Sequence, residues 1–177
     1  MSRGARLKAR PAGKDDEMGF SLGFHRIDGN ELVDADREGI AEFLHSRGLR
    51  MEDRSIVDAD GSVLAFDGAW SDLHLDPLDQ DGPLGGGIDH ATLTPAECEF
   101  IYGLCVAGRL MVVNPQGDPM YVVPGRTHQA AALPDPDETV WVDSPDELAI
   151  ALGAGFGEFR NYLRRVMDSY SSDPSEV

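Results

Sequence analysis

The sequence predicts an α+β domain, with a mainly antiparallel sheet of about six strands built from hairpins and three or four helices packed on one face. Three observations predict it. Strand-like runs come in pairs across Gly-, Asn- and Asp-containing turns, and no strand–helix–strand rhythm recurs. Two capping boxes with Pro at the first helical position, Thr94-Pro95-Ala96-Glu97 and Ser144-Pro145-Asp146-Glu147, mark helix starts. The 177 residues, 41% of them hydrophobic, suffice for one core, and no internal repeat of solenoid length is present.

Phe20–Ile27 alternates as a strand and ends at the turn Asp28-Gly29-Asn30. A helix is expected from Asp34, as N-cap, to Arg47, with Asp36 and Glu38 in its first turn, the stripe Ile40, Phe43, Leu44, and Gly48 beyond its end. Arg54–Asp58 and Ser62–Asp67 form a hairpin around Asp60-Gly61, and Trp70–Leu75 follows the turn at Gly68. Asp76–Asp89, rich in Gly, Pro and Asp, is the longest irregular stretch. The helix Thr94–Ala107 presents Cys98, Ile101, Tyr102, Leu104 and Cys105 on one face and stops at Gly108. A second hairpin pairs Leu110–Asn114 with Met120–Val123, and Thr139–Val142 is a short strand. The last helical region carries the stripe Leu148, Leu152, Phe156, Phe159, Leu163, Val166. Gly153, Gly155 and Gly157 interrupt it, predicting a kink or a break near Ala154.

Charge is unevenly spread. The net charge is −17, from 32 acidic and 15 basic residues. The first 14 residues hold five basic residues and no acid, which leaves −22 for residues 15–177. Residues 1–17 are expected to be a disordered basic extension, with the native start at Met18, residues 18–168 to be the single domain, and 169–177 a frayed polar tail. The extension lacks the apolar stretch of a secretory signal, and no apolar run approaches the roughly 20 residues needed to span a bilayer. A negative field of this size repels a phosphate backbone, which excludes nucleic acid as a partner. Cys98 and Cys105 lie about 10 Å apart along a helix, too far for a disulfide, and read as small core residues of a cytoplasmic protein. The basic residues are 13 Arg and 2 Lys, and with abundant Gly, Ala and Asp this composition goes with a high-GC bacterial source.

Few residues offer chemistry. Asp58-Ala59-Asp60-Gly61 opens like a calcium loop, but Gly stands fourth rather than sixth and strand residues follow, so a tight turn is expected. Gly85-Gly86-Gly87 has no Lys nearby and does not run directly into the next helix, so it reads as a flexible loop rather than a phosphate loop. No nucleophile elbow is present. His74, Asp76, Asp89 and His90, with His128 as a further candidate, could supply imidazole and carboxylate ligands for a metal-dependent hydrolase, although no established ligand spacing is present. The favoured expectation is a protein-binding module without enzymatic activity or cofactor. In it, Trp70 anchors a basic partner protein while Asp72, Asp76, Asp79, Asp81 and Asp89 steer and hold it. Small acidic proteins of this kind serve as immunity or antitoxin-type inhibitors of a cognate toxin, and the sequence does not fix an oligomeric state.

Overall fold

The computed structural model describes residues 20–171. The expectations for the basic extension 1–17 and for residues 172–177 lie outside the described residues. The chain runs β1 (Leu22–Asp28), β2 (Glu31–Val33), α1 (Arg37–Ser46), β3 (Arg50–Glu52), β4 (Ser55–Val57), β5 (Ala65–Phe66), β6 (Ala69–Trp70), β7 (His74–Leu75), β8 (Gly86–Ile88), α2 (Pro95–Gly108), β9 (Met111–Val113), β10 (Tyr121–Pro124), β11 (Thr139–Val142) and α3 (Pro145–Ser171). Nine strands form one sheet in the order β11-β10-β9-β1-β8-β7-β4-β3, with β2 paired to the end of β1, and β5–β6 is a separate hairpin. All pairs are antiparallel except β10–β11. The fold is therefore mixed α+β with a mostly antiparallel sheet, larger than the six strands expected.

The period of two along each strand separates two apolar faces. Leu22 and Phe24 of β1, Ile88, Val112, Val122 and Val142 join Ile40 and Leu44 of α1, Phe100, Ile101 and Leu104 of α2, and Leu148 and Leu152 of α3 in the main core. The opposite face carries a smaller cluster of Met111, Val123 and Leu133, with Ile27, Tyr121 and Trp141 packed against it. Cys98 and Cys105 are free thiols in the interior, and burial pushes Cys98 up to about 11 and Cys105 further still.

Several local expectations are corrected. Asp36, not Asp34, caps α1, accepting from the Gly39 N–H at 2.9 Å. Asp34 is drawn away by Arg37 and by the N–H of Leu84. The turn closing the β3–β4 hairpin lies at Asp53, whose φ is +53°, and the predicted partner Ser62–Asp67 touches β4 only through the Val57–Val63 bridge. Asp58 does build the tight turn, accepting from the N–H groups of Asp60 and Ser62. The predicted strand Trp70–Leu75 divides between β6 and β7, because β6 turns back onto β5 while β7 pairs in the main sheet. Gly108 is still helical, and Arg109 takes the left-handed conformation that ends α2. A Cβ on Gly108 would meet Ile40 at 2.8 Å, so this glycine serves the packing of α1 on α2. The helix α3 is continuous through Gly153, Gly155 and Gly157 and reaches Ser171, into the expected tail. Glycine weakens a helix by about 1 kcal/mol without removing a backbone hydrogen bond, and Leu148 and Leu152 anchor this end in the core. The side chains of Phe156, Phe159, Leu163 and Val166 lie outside the described residues.

The largest correction concerns Gly85-Gly86-Gly87. Gly86–Ile88 is an interior strand, paired with β1 on one side and β7 on the other. The glycines answer crowding. A Cβ on Gly86 would lie 2.4 Å from the His74 carbonyl oxygen, and one on Gly85 would lie 2.6 Å from the His25 ring.

Candidate functional site

Phe66 of the β5–β6 hairpin packs on Phe100 of α2, ring centroids 5.5 Å apart. Phe66 and Trp70 point to opposite sides of this two-stranded ribbon, because Trp70 stands opposite Ala65 in the register. Anchoring one side of the ribbon therefore thrusts Trp70 outward, where it is 84% exposed. It is the most exposed large hydrophobic residue among the described ones, and Val63 beside it is also exposed. Together with Ser71, Asp72 and His90 they line a cleft of about 260 Å³.

Hydrogen bonds tie the floor of this cleft together. Asp72 Oδ1 accepts from the backbone N–H groups of Asp89 and His90, each at 3.2 Å, and Oδ2 pairs with His90 Nδ1. Burial alone would raise the Asp72 carboxyl, but the His90 ring and these N–H groups outweigh it and hold it below the usual carboxylate range. The pairing therefore supports the fold above that range and is lost as pH falls through the lowered value. Behind it, Glu97 is buried and accepts from the N–H groups of Thr92 and Leu93 at 2.8 and 2.6 Å. Burial raises its carboxyl.

The expected acidic set is thus divided. Asp72 is committed internally. Asp76 accepts from the Gly85 N–H at 3.0 Å and pairs with Arg54 at 3.3 Å, so it too is a structural group. Asp89 is exposed next to the cleft, adjoining His90. Asp79 lines a different cleft with Met51, Asp53, Pro77 and Leu78, and Asp81 is exposed two residues further along the same loop. The four potential metal ligands do not converge: His90 holds Asp72, His74 Nδ1 faces the Asp72 carbonyl oxygen at 3.1 Å, and Asp76 is engaged as above. Among the described residues no group of three or more His, Cys, Asp or Glu is placed to hold a metal ion. His128 lies elsewhere, in a cavity with Arg26 and Arg109.

Arg37 and Asp34 order the segment that the sequence presents as an irregular loop. The Arg37 guanidinium donates to the carbonyl oxygens of Leu78 (2.9 Å), Gln80 (2.7 Å) and Gly82 (2.6 Å) while pairing with Asp34 at 2.9 Å. These partners are more than 40 residues away in sequence, and no local pattern announces them. Replacing Arg37 with Met keeps its apolar stem and removes the clamp. Amide exchange at residues 80–84 is then expected to accelerate at least about tenfold while the core amides stay protected. Unchanged exchange there would show that Asp34 and the strand ends suffice.

No protein-family model, curated protein or solved structure matches this chain. No helix among the described residues is long and apolar enough to cross a membrane.

Proposed function

We propose that this chain is an acidic docking module that binds a basic partner protein and blocks its active site, in the manner of an immunity or antitoxin-type inhibitor. The observation that carries this reading is Trp70. A tryptophan leaves an apolar surface in water at a cost of about 2 kcal/mol relative to burial, and as a preset anchor it becomes a hot spot when a partner covers it. The cleft beside it, floored by the Asp72–His90 pair, offers a neighbouring pocket of about 260 Å³. The surrounding field supplies direction. Residues 20–171 contain 27 acidic side chains against 10 arginines, and such an imbalance accelerates encounter with a basic surface. Asp67 and Asp89 are exposed near this cleft by sequence position, and they replace Asp72 and Asp76 as the carboxylates free to meet a partner.

The test is capture of a basic partner by the tagged full chain, followed by titration of the partner's own activity. One-to-one inhibition is expected. Trp70→Ala should weaken binding about 100-fold and leave the melting temperature unchanged. Raising salt from about 50 to about 500 mM should weaken it by a further factor of about ten or more. A complex indifferent to both Trp70→Ala and salt would sink the proposal.

A further inference from the structure

A second cavity, of about 340 Å³, opens where the end of β1, β2, the end of α2 and the segment after β10 meet. Arg26, Asp28, Arg109, Thr127, His128 and Gln129 line it. Its chemistry opposes that of the rest of the surface. Carboxylates outnumber arginines heavily among the described residues, and Arg37, Arg50, Arg54 and Arg126 each pair with one. Arg26 and Arg109 have no carboxylate partner among the described residues, and Arg26 gives a single hydrogen bond, to the Asp34 carbonyl oxygen. Both guanidinium groups lie close enough to His128 to act on it electrostatically. The imidazole bonds through Nδ1 to Thr127 Oγ1 at 3.0 Å, while its Nε2 is buried with no hydrogen-bond partner. Backbone N–H groups cap three of the last carbonyls of α2, those of Cys105, Val106 and Gly108, which weakens the negative pole of the helix beside this cavity.

Only the buried His128 Nε2, which lacks a hydrogen-bond partner, costs free energy here; Arg109 is exposed and Arg26 half-buried, so both guanidinium groups are hydrated and accessible to a ligand in the cavity. Arginines at such a place recognise oxyanions, whose oxygens accept several N–H bonds at once. We propose that this cavity binds a small dianionic oxyanion, of the phosphate or dicarboxylate class, through Arg26 and Arg109, with the protonated His128 imidazole beside it adding positive charge. The site is independent of the Trp70 cleft and would make the protein responsive to an anionic metabolite.

Protonation sets the sign of the pH dependence. In the empty protein, burial first, then Arg26 and Arg109, hold the His128 imidazole below its ordinary value, and Asp28 opposes them only in part. An anion raises it, so binding takes up a proton and strengthens as pH falls. Sulfate is the suitable probe because its own charge does not change in this range.

The experiment is calorimetric titration of the full chain with sulfate at about pH 7.5 and about pH 5.5. Binding below about 10 mM is expected, tighter at the lower pH by up to about tenfold per unit for one linked proton. His128→Asn should abolish the pH dependence. Arg109→Gly separates ligand binding from folding. Arg109 holds a φ of +55°, which glycine adopts without strain, so the variant should melt higher and bind sulfate at least about tenfold more weakly. Arg26→Gln should weaken binding similarly. Parallel titrations with a phosphate monoester and with succinate identify the source, the tighter one naming the class. No heat from sulfate, the monoester or succinate overturns the site, as does binding that survives in both arginine variants or an Arg109→Gly protein that melts lower than the parent.

Discussion

Gly86→Ala is expected to destabilise the protein by about 3 kcal/mol, a large share of the 5–15 kcal/mol available to a domain of this size. The added methyl would sit 2.4 Å from the His74 carbonyl oxygen and 2.7 Å from Leu75 Cδ2. Backbone cannot yield as a flexible side chain does. Relief requires β7 and β8 to separate, which strains the pairings His74–Gly87 and Leu75–Gly86 and reaches β1 through Phe24–Gly86. The reduced entropy of the unfolded chain returns less than about 1 kcal/mol. Gly153→Ala provides the contrast. Among the described residues no atom beyond its chain neighbours and its own helix backbone lies within 4 Å of the Cβ it would add, and the position is helical, so the same change should stabilise by up to about 1 kcal/mol. Urea unfolding of the two variants reads both signs. A Gly86→Ala protein as stable as the parent would mean that β8 does not lie between β1 and β7.

Glu97→Ala carries the second large effect, about 3 kcal/mol, because it removes the partner of two part-buried N–H groups and leaves a cavity where the buried Glu97 side chain stood. The carboxylate receives both the Thr92 and Leu93 N–H groups through Oε2, while Thr94 Oγ1 accepts from the Glu97 N–H at 3.3 Å. Leu93 also holds a φ of +53°, so these bonds secure a strained approach to α2. Glu97→Gln keeps an oxygen acceptor and should cost less than half as much. Its pH dependence follows from the raised carboxyl. The folded protein favours the protonated acid, so this group's contribution is fully present below the unfolded-state value and is lost as pH rises through the folded one. The deficit of Glu97→Gln relative to the parent should therefore shrink on going from acid to neutral pH. Chemical denaturation at several pH values measures it, and a constant or growing deficit would contradict the assigned burial of charge.

What local sequence carried was local in cause. Both capping boxes start helices where Thr94 and Ser144 stand, since the bonds involved span three residues. The turns at Gly29, Gly61 and Gly68 are present with positive φ, because glycine alone reaches that region without strain. The burial of Cys98 and Cys105 followed from helical period. The outward aim of Trp70 did not. It depends on Phe66 finding Phe100, 34 residues later, and on a two-residue hairpin that period alone cannot separate from the next strand.

The sequence by itself determined the class of fold, the helix starts, several turns and the negative field, each set by propensities and charges that act over a few residues or over the whole chain. The tertiary structure decided that the glycine-rich stretch is an interior strand, that Thr139–Val142 runs parallel to β10, and which aspartates are spent inside the protein. It alone brought Arg26, Arg109 and His128 to one cavity. The physical reason is common to all of these. Close approach of backbones, strand direction and the pairing of charges are settled between segments tens of residues apart, where no periodicity in the chain records them.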